Sequence, residues 1–416
     1  MAEPKPLIIE SPRLGIASSP HVSFGDMRNL DIYSLPGVVR LNNKLANAST
    51  TAVTARIKWI VRDPVTVANF YAVDTAGDVY VSTDSGVTFA DLGTQPTDGG
   101  LGQGLAIWKD YLFCARATAV DLYGPLSSSP AWRNSWAGLT MTSDTLWHPM
   151  LVSKLDGKLY IGSGRYIDSV AEVSGQNFTW DTAGTYTATA SALTLPEDYR
   201  VKCLAEQGNY LAIGTWIGTN IYDNKIADIF FWDGSSTTYS NIVQMNENGV
   251  NAILNINENL YILAGIDGKV YKSNGVQSWP IAQIPISVAD ITNGKYLEPY
   301  HGAIANYKGR LFFGISSAST AGMGVYSLME TSDGNILNFE HFVDSESTGG
   351  TNELEIGAIL PAARDKLLVG YRDNTTYRIA ITKTATNIYD YTTNYSGYFE
   401  SPLYQVGSYL NKRKFN

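Results

Sequence analysis

Apolar residues along this chain come in short runs, and the runs come in pairs. The phrases LAIWKDYLFCA (from residue 105), LVSKLDGKLYIG (from 151), CLAEQGNYLAIG (from 203), AILNINENLYILAG (from 252), AIANYKGRLFFG (from 303) and AILPAARDKLLVG (from 358) share one form. An apolar run is followed by a polar turn, then by a second apolar run that mostly ends in Gly. Runs this short, rich in Val, Ile, Leu, Tyr and Phe, read as strands. With Leu112, Leu159, Leu211, Leu260, Leu311 and Leu367 as equivalent points, the steps are 47, 52, 49, 51 and 56 residues, and WIVRDPVTVANFYAV places Phe70 another 42 residues upstream.

Each unit continues into a third strand with its own turn. GDVYVSTDSGVTF has counterparts in GKVYKSNGVQSW (from 268), in MGVYSLMETSDGNILNF (from 323) and, more loosely, in SVAEVSGQNFTW (from 169). A repeat near 50 residues that holds three or four antiparallel strands predicts a β-propeller, because a twisted sheet of that size buries both faces only by stacking on neighbours around an axis. The expected fold is all-β, a seven-bladed β-propeller with an extended N-terminal arm; a count of six follows if the first or last unit is partial. A sandwich or barrel shares the composition but gives no reason for one phrase to recur at near-constant intervals. The expected organisation is an arm over residues 1–50, the propeller over 51–395 and an exit segment over 396–416.

Composition agrees with this picture and removes several functions. The chain has 416 residues, with 26 Tyr, 9 Trp and 38 Gly and only 17% charged residues. No run approaches the roughly 20 apolar residues of a membrane helix, and the first residues lack the pattern of an export signal. The two cysteines, Cys114 and Cys203, exclude a disulfide framework and a Cys-based zinc site, and read as buried free thiols. The net charge is -9, with 7 Lys/Arg against 4 Asp/Glu in the first 60 residues. No basic cluster interleaved with aromatics marks a nucleic-acid surface.

YVSTDSGVTF, residues 80–89, carries the candidate chemistry. Ser82, Asp84, Gly86, Thr88 and Phe89 fit S-x-D-x-G-x-T-aromatic, which resembles the Asp-box of sialidases, other glycan-cleaving enzymes and many non-enzymatic propellers. A structural role is expected for each: the Ser and Asp oxygens accept backbone N–H bonds, Gly supplies a positive φ, and the aromatic tucks between sheets. The sequence yields no catalytic, cofactor-binding or metal-binding residues, and an enzyme is not expected. Arg13, Arg28 and Arg40 match no sialidase arginine motif. Asp156, Asp267 and Asp365 lie in hairpin turns, where Asp serves turn geometry. His21, His148, His301 and His341 have no metal-ligand spacing; His148 and His301 each precede a first strand and are expected in equivalent places two repeats apart. DGGLGQG (from 98) lacks the Lys-Ser/Thr of a phosphate loop and reads as an inter-blade connection.

Pro4, Pro6, Pro12 and Pro20 punctuate the start of the arm. The phrase GDMRNLDIYSLPG that follows (residues 25–37) resembles the N-terminal region of propeller-bearing virion proteins of tailed bacteriophages, and SGYFESPLYQVGSYLNKRKF (from 396) is similar to the segment leading out of the propeller in that group. The resemblance implies a tail nozzle, hub or connector component that acts in assembly and DNA ejection without catalysis. Its partners would be other copies of itself in a ring, most often six-fold, and neighbouring tail proteins, with DNA only as a transient passenger. It would reside in the virion tail after assembly in the bacterial cytoplasm, without membrane insertion. Relatives commonly continue into another β domain where this chain stops. Two rivals remain open: a carbohydrate-active propeller enzyme, and a propeller that binds a host surface glycan through aromatic loops at residues 121–147 and 181–199.

Overall fold

The computed structural model describes residues 26–28, 30–33, 40–42, 44–93, 102–142, 147–217, 226–284, 297–317, 324–331, 334–341, 354–373, 376–383, 398–400, 404–406, 409–411 and 414–415. Every regular element among them is a strand, and no helix is long and apolar enough to cross a membrane. The seven repeat points, Phe70, Leu112, Leu159, Leu211, Leu260, Leu311 and Leu367, all fall on the second strand of a blade and are at most 4% exposed. The repeat therefore marks seven four-stranded antiparallel blades, as the spacing predicts.

The innermost strands are Ile57–Arg62, Gly104–Trp108, Met150–Val152, Tyr199–Gln207, Val250–Ile256, Ile304–Tyr307 and Leu354–Ala363. Each touches the innermost strand of the next blade, and the seventh touches the first, which closes a circle. Seven hydrophobic clusters fill the seven seams between neighbouring blades. Successive side chains on a strand point to opposite faces, and here both faces meet a neighbouring blade. That is why Phe70–Asp74, Tyr111–Ala115 and Leu159–Ser163 are buried along their whole length and read as unbroken apolar runs.

The seventh blade takes its three inner strands from the end of the propeller sequence and its fourth from the beginning. Lys44–Asn47 pairs antiparallel with Thr376–Lys383, in the register Ala380 to Asn47, Ile381 to Ala46, Thr382 to Leu45 and Lys383 to Lys44. The boundary drawn at residue 50 therefore shifts, because the last residues of the expected arm are propeller. The strand is a pairing edge, and its four residues carry little apolar signal of their own.

Upstream residues also lie on the propeller. Asn42 donates through Nδ2 to the backbone of Leu30 and to the carboxylate of Glu340 (2.7 Å) on blade 6, and the Tyr33 ring lies under the Arg310 guanidinium at 4.0 Å. Arg310 and Glu340 form an ion pair at 2.8 Å, with both side chains nearly covered. Prolines 4, 6, 12 and 20 lie outside the described residues.

Parts of the two segments offered as sugar platforms belong to blades. Tyr186–Thr194 is the outermost strand of blade 3, and Ala131–Arg133 that of blade 2. Trp136 is buried against Phe113 and Phe178 in the seam between those blades, and Trp132 packs on Tyr123. Cys114 and Cys203 are buried free thiols, and burial pushes them up to about 11 and about 12.

Backbones approach most closely near the axis. A Cβ on Gly357 would lie 1.8 Å from the carbonyl oxygen of Ile57, and one on Gly104 would lie 1.9 Å from that of His148. Main-chain oxygens on inner strands cannot swing away as a flexible side chain can. Gly357→Ala should therefore cost at least ~2 kcal/mol of stability, read as a lowered urea midpoint; an unchanged midpoint would show that the seam between blades 7 and 1 is loose.

Candidate axial site

The motif residues of YVSTDSGVTF lie at the turn between the third and fourth strands of blade 1, far along the blade from the innermost strand. Ser82 ends the third strand and donates through Oγ to Asp84 Oδ1 at 2.8 Å, while accepting the Gly86 N–H at 3.0 Å. Asp84 accepts the Thr88 N–H at 2.9 Å and its hydroxyl at 2.6 Å. Ser85 and Gly86 both have positive φ, 67° and 80°. Burial acts to raise the Asp84 carboxyl, but the hydrogen bonds from Thr88 and Ser82 together outweigh it and hold the group below the ordinary carboxylate range.

Phe89 gives this turn its wider consequence. It is wholly buried in the seam between blades 7 and 1, and its N–H donates to Ala48 O at 2.7 Å while its carbonyl accepts from Thr50 N at 2.8 Å. The turn thus grips the chain just after the strand that closes the ring. Asp84→Ala should cost about 1 kcal/mol, the net worth of an exposed turn's hydrogen bonding, and should leave the fold intact; urea unfolding measures this, and a loss of several kcal/mol would assign Asp84 more than a turn.

The other residues singled out from sequence scatter. Asp156 caps a hairpin of blade 3, accepting from Lys158 N and from Tyr160 OH at 2.7 Å. Asp267 lies in a turn of blade 5, 3.4 Å from Lys269. His148 precedes the first strand of blade 3 and His301 that of blade 6, so they stand three blades apart and not two. His21 lies outside the described residues, and Asp333 of the related turn in blade 6 does as well. Among the described residues no three His, Cys, Asp or Glu side chains are grouped to hold a metal.

What sequence reading missed is a ring of equivalent positions around the axis. In every blade the residue three past the repeat point faces an inner-strand partner: Val73 faces Trp59, Ala115 faces Gly104, Gly214 faces Cys203, Leu263 faces Ala252 and Gly370 faces Ala358. In blades 3 and 6 the N–H groups of Gly162 and Gly314 donate to Pro149 and Ala303. The residue just before each partner is Lys58, Gln103, His148, Lys202, Asn251, Gly302 or Gly357. In blades 1, 4, 5 and 7 the ladder register shifts at this residue, the mark of a β-bulge, which turns a side chain out of the strand's alternation.

Five of these seven positions carry polar side chains, and all five are buried, from 0% exposed for His148 and Lys202 to 7% for Lys58. Lys202 Nζ donates to Asn251 Oδ1 at 2.6 Å and lies 4.3 Å from the Trp216 ring and 4.6 Å from that of Trp147. The Asn251 amide donates onward to Gly265 O at 2.7 Å.

On the glycine side of the ring the backbones nearly touch. A Cβ on Gly302 would lie 2.1 Å from Lys58 O and 3.0 Å from Gly357 O. Trp59 of blade 1 donates through its indole to Gln103 O of blade 2 at 3.3 Å and meets the His301 ring of blade 6 edge-on at 3.5 Å. Blades 2 and 6 are not neighbours of each other, so Trp59 bridges them across the axis. Arg56 lies over the Tyr300 ring at 3.8 Å and pairs with Glu355 at 3.2 Å, which Arg372 also approaches at 3.5 Å.

The electrostatics of this region are positive. Burial, and then Arg56 and Lys202, bring the Lys58 ammonium down from 10.5 to about 7. Burial first, then Lys58, Lys202 and Arg56, press His301 well below the usual imidazole range, so it is neutral at physiological pH. Gln103 Oε1 and His301 Nε2 have no hydrogen-bond partner.

Between pH 7 and 10.5 the unfolded chain keeps a proton on Lys58 that the folded chain releases, so stability should rise with pH across that window. The expected gain is roughly 2 kcal/mol from pH 7 to pH 9. Lys58→Met should lack this increment when the two proteins' urea-derived stabilities are compared at both pH values; identical slopes would place the Lys58 amine in water.

No protein-family model matches the chain, and no curated protein matches its sequence. Among solved structures it is similar to the β-propeller domain of Myceliophteria thermophila Cps50 (Swd1), at 10% identity over 82% of this chain and 100% of that one, with a TM-score of 0.51. It is similar to YCF48 bound to a D1 peptide, at 8% identity over 87% and 99% of the two chains and a TM-score of 0.52. A third likeness is to Chaetomium thermophilum Raptor, at 10% identity over 82% of this chain and 30% of that one, with a TM-score of 0.52. At such identities the likeness establishes the class alone: the chain is a β-propeller.

Proposed function

We propose that this propeller works by binding and assembly without catalysis, as a ring-forming structural component of a bacteriophage tail of the nozzle, hub or connector type. The observation that carries the reading joins the two segments that resemble virion propellers. Asp26–Arg28, within the phrase at residues 25–37, pairs with Tyr398–Glu400, which pairs in turn with Lys414–Phe415. Both ends of the chain therefore contribute to one small sheet outside the seven blades, where it can be shared with a neighbouring subunit without disturbing the propeller core.

A non-catalytic role draws support from the axis. Glycoside hydrolysis needs two carboxyl groups flanking one bond, whereas the described side chains around the axial ring are cations, amides, imidazoles and indoles, with Glu355 tied to Arg56 and Arg372. Against the glycan-binding alternative, Trp136 is buried in the seam between blades 2 and 3, and Trp132 packs on Tyr123. DNA remains a transient passenger of the assembled ring, consistent with a net charge of -9.

Light scattering and electron microscopy of the purified full chain, alone and with tail proteins, should reveal closed rings of about six copies. A strictly monomeric protein that hydrolyses members of a glycan panel would overturn the proposal.

A further inference from the structure

We propose that the groove between blades 4 and 5, on the face where first strands turn into second strands and third into fourth, binds a neutral saccharide. Three turns meet there. The hairpin joining Tyr199–Gln207 to Tyr210–Ile217 supplies Gln207, Asn209 and Tyr210, the first hairpin of blade 5 supplies Glu258, and the turn after Lys269–Ser273 supplies Asn274. Asn241, at the start of the outermost strand of blade 4, completes the wall, and together these residues line an open cavity of about 520 Å³. The Asn274 turn lies in GKVYKSNGVQSW, the blade 5 counterpart of the turn at Ser82.

Three amides of this cavity are fixed at one end and unpartnered at the other. Gln207 Nε2 donates to Glu258 O at 2.9 Å, Asn241 Nδ2 donates to Gly275 O at 2.8 Å, and Asn274 Oδ1 accepts the N–H groups of Val276 and Gln277 at 3.0 and 3.1 Å. Gln207 and Asn241 thereby tie blade 4 to blade 5 and hold the walls in place. Gln207 is 8% exposed, and its Oε1 has no hydrogen-bond partner. Among the described residues nothing bonds Asn274 Nδ2 or Asn241 Oδ1. Donor and acceptor groups thus surround one space, and hydroxyls, which both donate and accept, suit such a mixed set. Glu258 is the only charged lining residue, so the cavity offers an anion no cation and favours a neutral ligand. Tyr210, 42% exposed, presents an aromatic face against which the apolar face of a sugar ring packs. The volume falls within the roughly 300–1,000 Å³ of small-ligand pockets, the scale of a short oligosaccharide. Water would satisfy the amides singly but would make no use of the Tyr210 ring. The groove is separate from the segments 121–147 and 181–199 and from the sheet that joins the chain ends, so sugar binding and ring formation are tested independently.

Immobilised neutral, sialylated and sulphated oligosaccharides should be probed with the full chain, and the best neutral one titrated in free form by calorimetry. Binding to neutral oligosaccharides in preference to the sialylated and sulphated ones is expected. Tyr210→Ala removes the exposed ring, and Asn274→Asp keeps the Oδ1 acceptor that the turn uses while replacing the amide donor. Each should keep the wild-type Tm and weaken binding by about tenfold or more, the worth of one aromatic contact or one hydrogen bond. Trp132→Ala, in the segment 121–147, should leave the affinity unchanged. No binding to any neutral oligosaccharide, a preference for the charged ones, or an affinity undiminished in both Tyr210→Ala and Asn274→Asp would each overturn the proposal. Loss of binding in Trp132→Ala alone would overturn it as well, by moving recognition to blade 2.

Discussion

The antiparallel pairing of Lys44–Asn47 with Thr376–Lys383 holds the rest of the structure in place. A propeller is a circle of sheets, and seven stacked blades leave two uncovered sheet faces unless the last meets the first. Here one strand from the start of the chain completes the last blade, and the chain then runs directly into blade 1. Ser49 and Ile379, 330 residues apart, exchange hydrogen bonds at this junction. Phe89 of blade 1 pairs with the same segment through Ala48 and Thr50. The cost of bringing distant parts of a chain together grows only slowly with the intervening length, so a four-residue strand can serve as the clasp, provided the seams on either side bury enough apolar surface. They do so through Leu45 on the blade 6 side and through Ala48, Val53 and Phe89 on the blade 1 side.

This clasp explains which parts of the architecture could be read from sequence. The seven second strands were legible because their residues are buried on both faces, so Phe70, Leu112 and their counterparts stand in apolar runs that recur. The turn at Ser82 and Asp84 was legible because its side chains bond to its own backbone, and such local chemistry leaves a local signature. The closing strand, KLAN, was not legible. Its identity depends on a partner more than 300 residues away and on a single seam, and nothing in those four residues distinguishes them from an extended arm. The segments at residues 121–147 and 181–199 were ambiguous for a related reason: aromatics that fill seams between blades, such as Trp136 and Tyr186, have the same composition as aromatics that would face a sugar.

The axial ring was hidden in a different way. Lys58, Gln103, His148, Lys202 and Asn251 differ in chemistry, and each looks like a chance polar residue beside an apolar run. Their equivalence rests on pairing register, on which inner-strand residue meets the position three past each repeat point. Only the glycines gave a hint, since Gly302 and Gly357 stand at the same place in their blades, and DGGLGQG, read as a simple connection, contributes Gln103 to the ring. A polar residue before a small one, at the repeat spacing, is the pattern that would have found it.

Position and chemistry diverge around this ring. The glycine side, where blades 6, 7 and 1 meet, brings backbones into contact and lets Trp59 cross to His301. The polar side, with Lys202 held between two indoles and Asn251, is rigid, because a cation fixed by aromatic faces and an amide has little freedom left. With Trp59 packed on His301 on one side and Lys202 fixed on the other, the ring holds inner strands of the blade circle together.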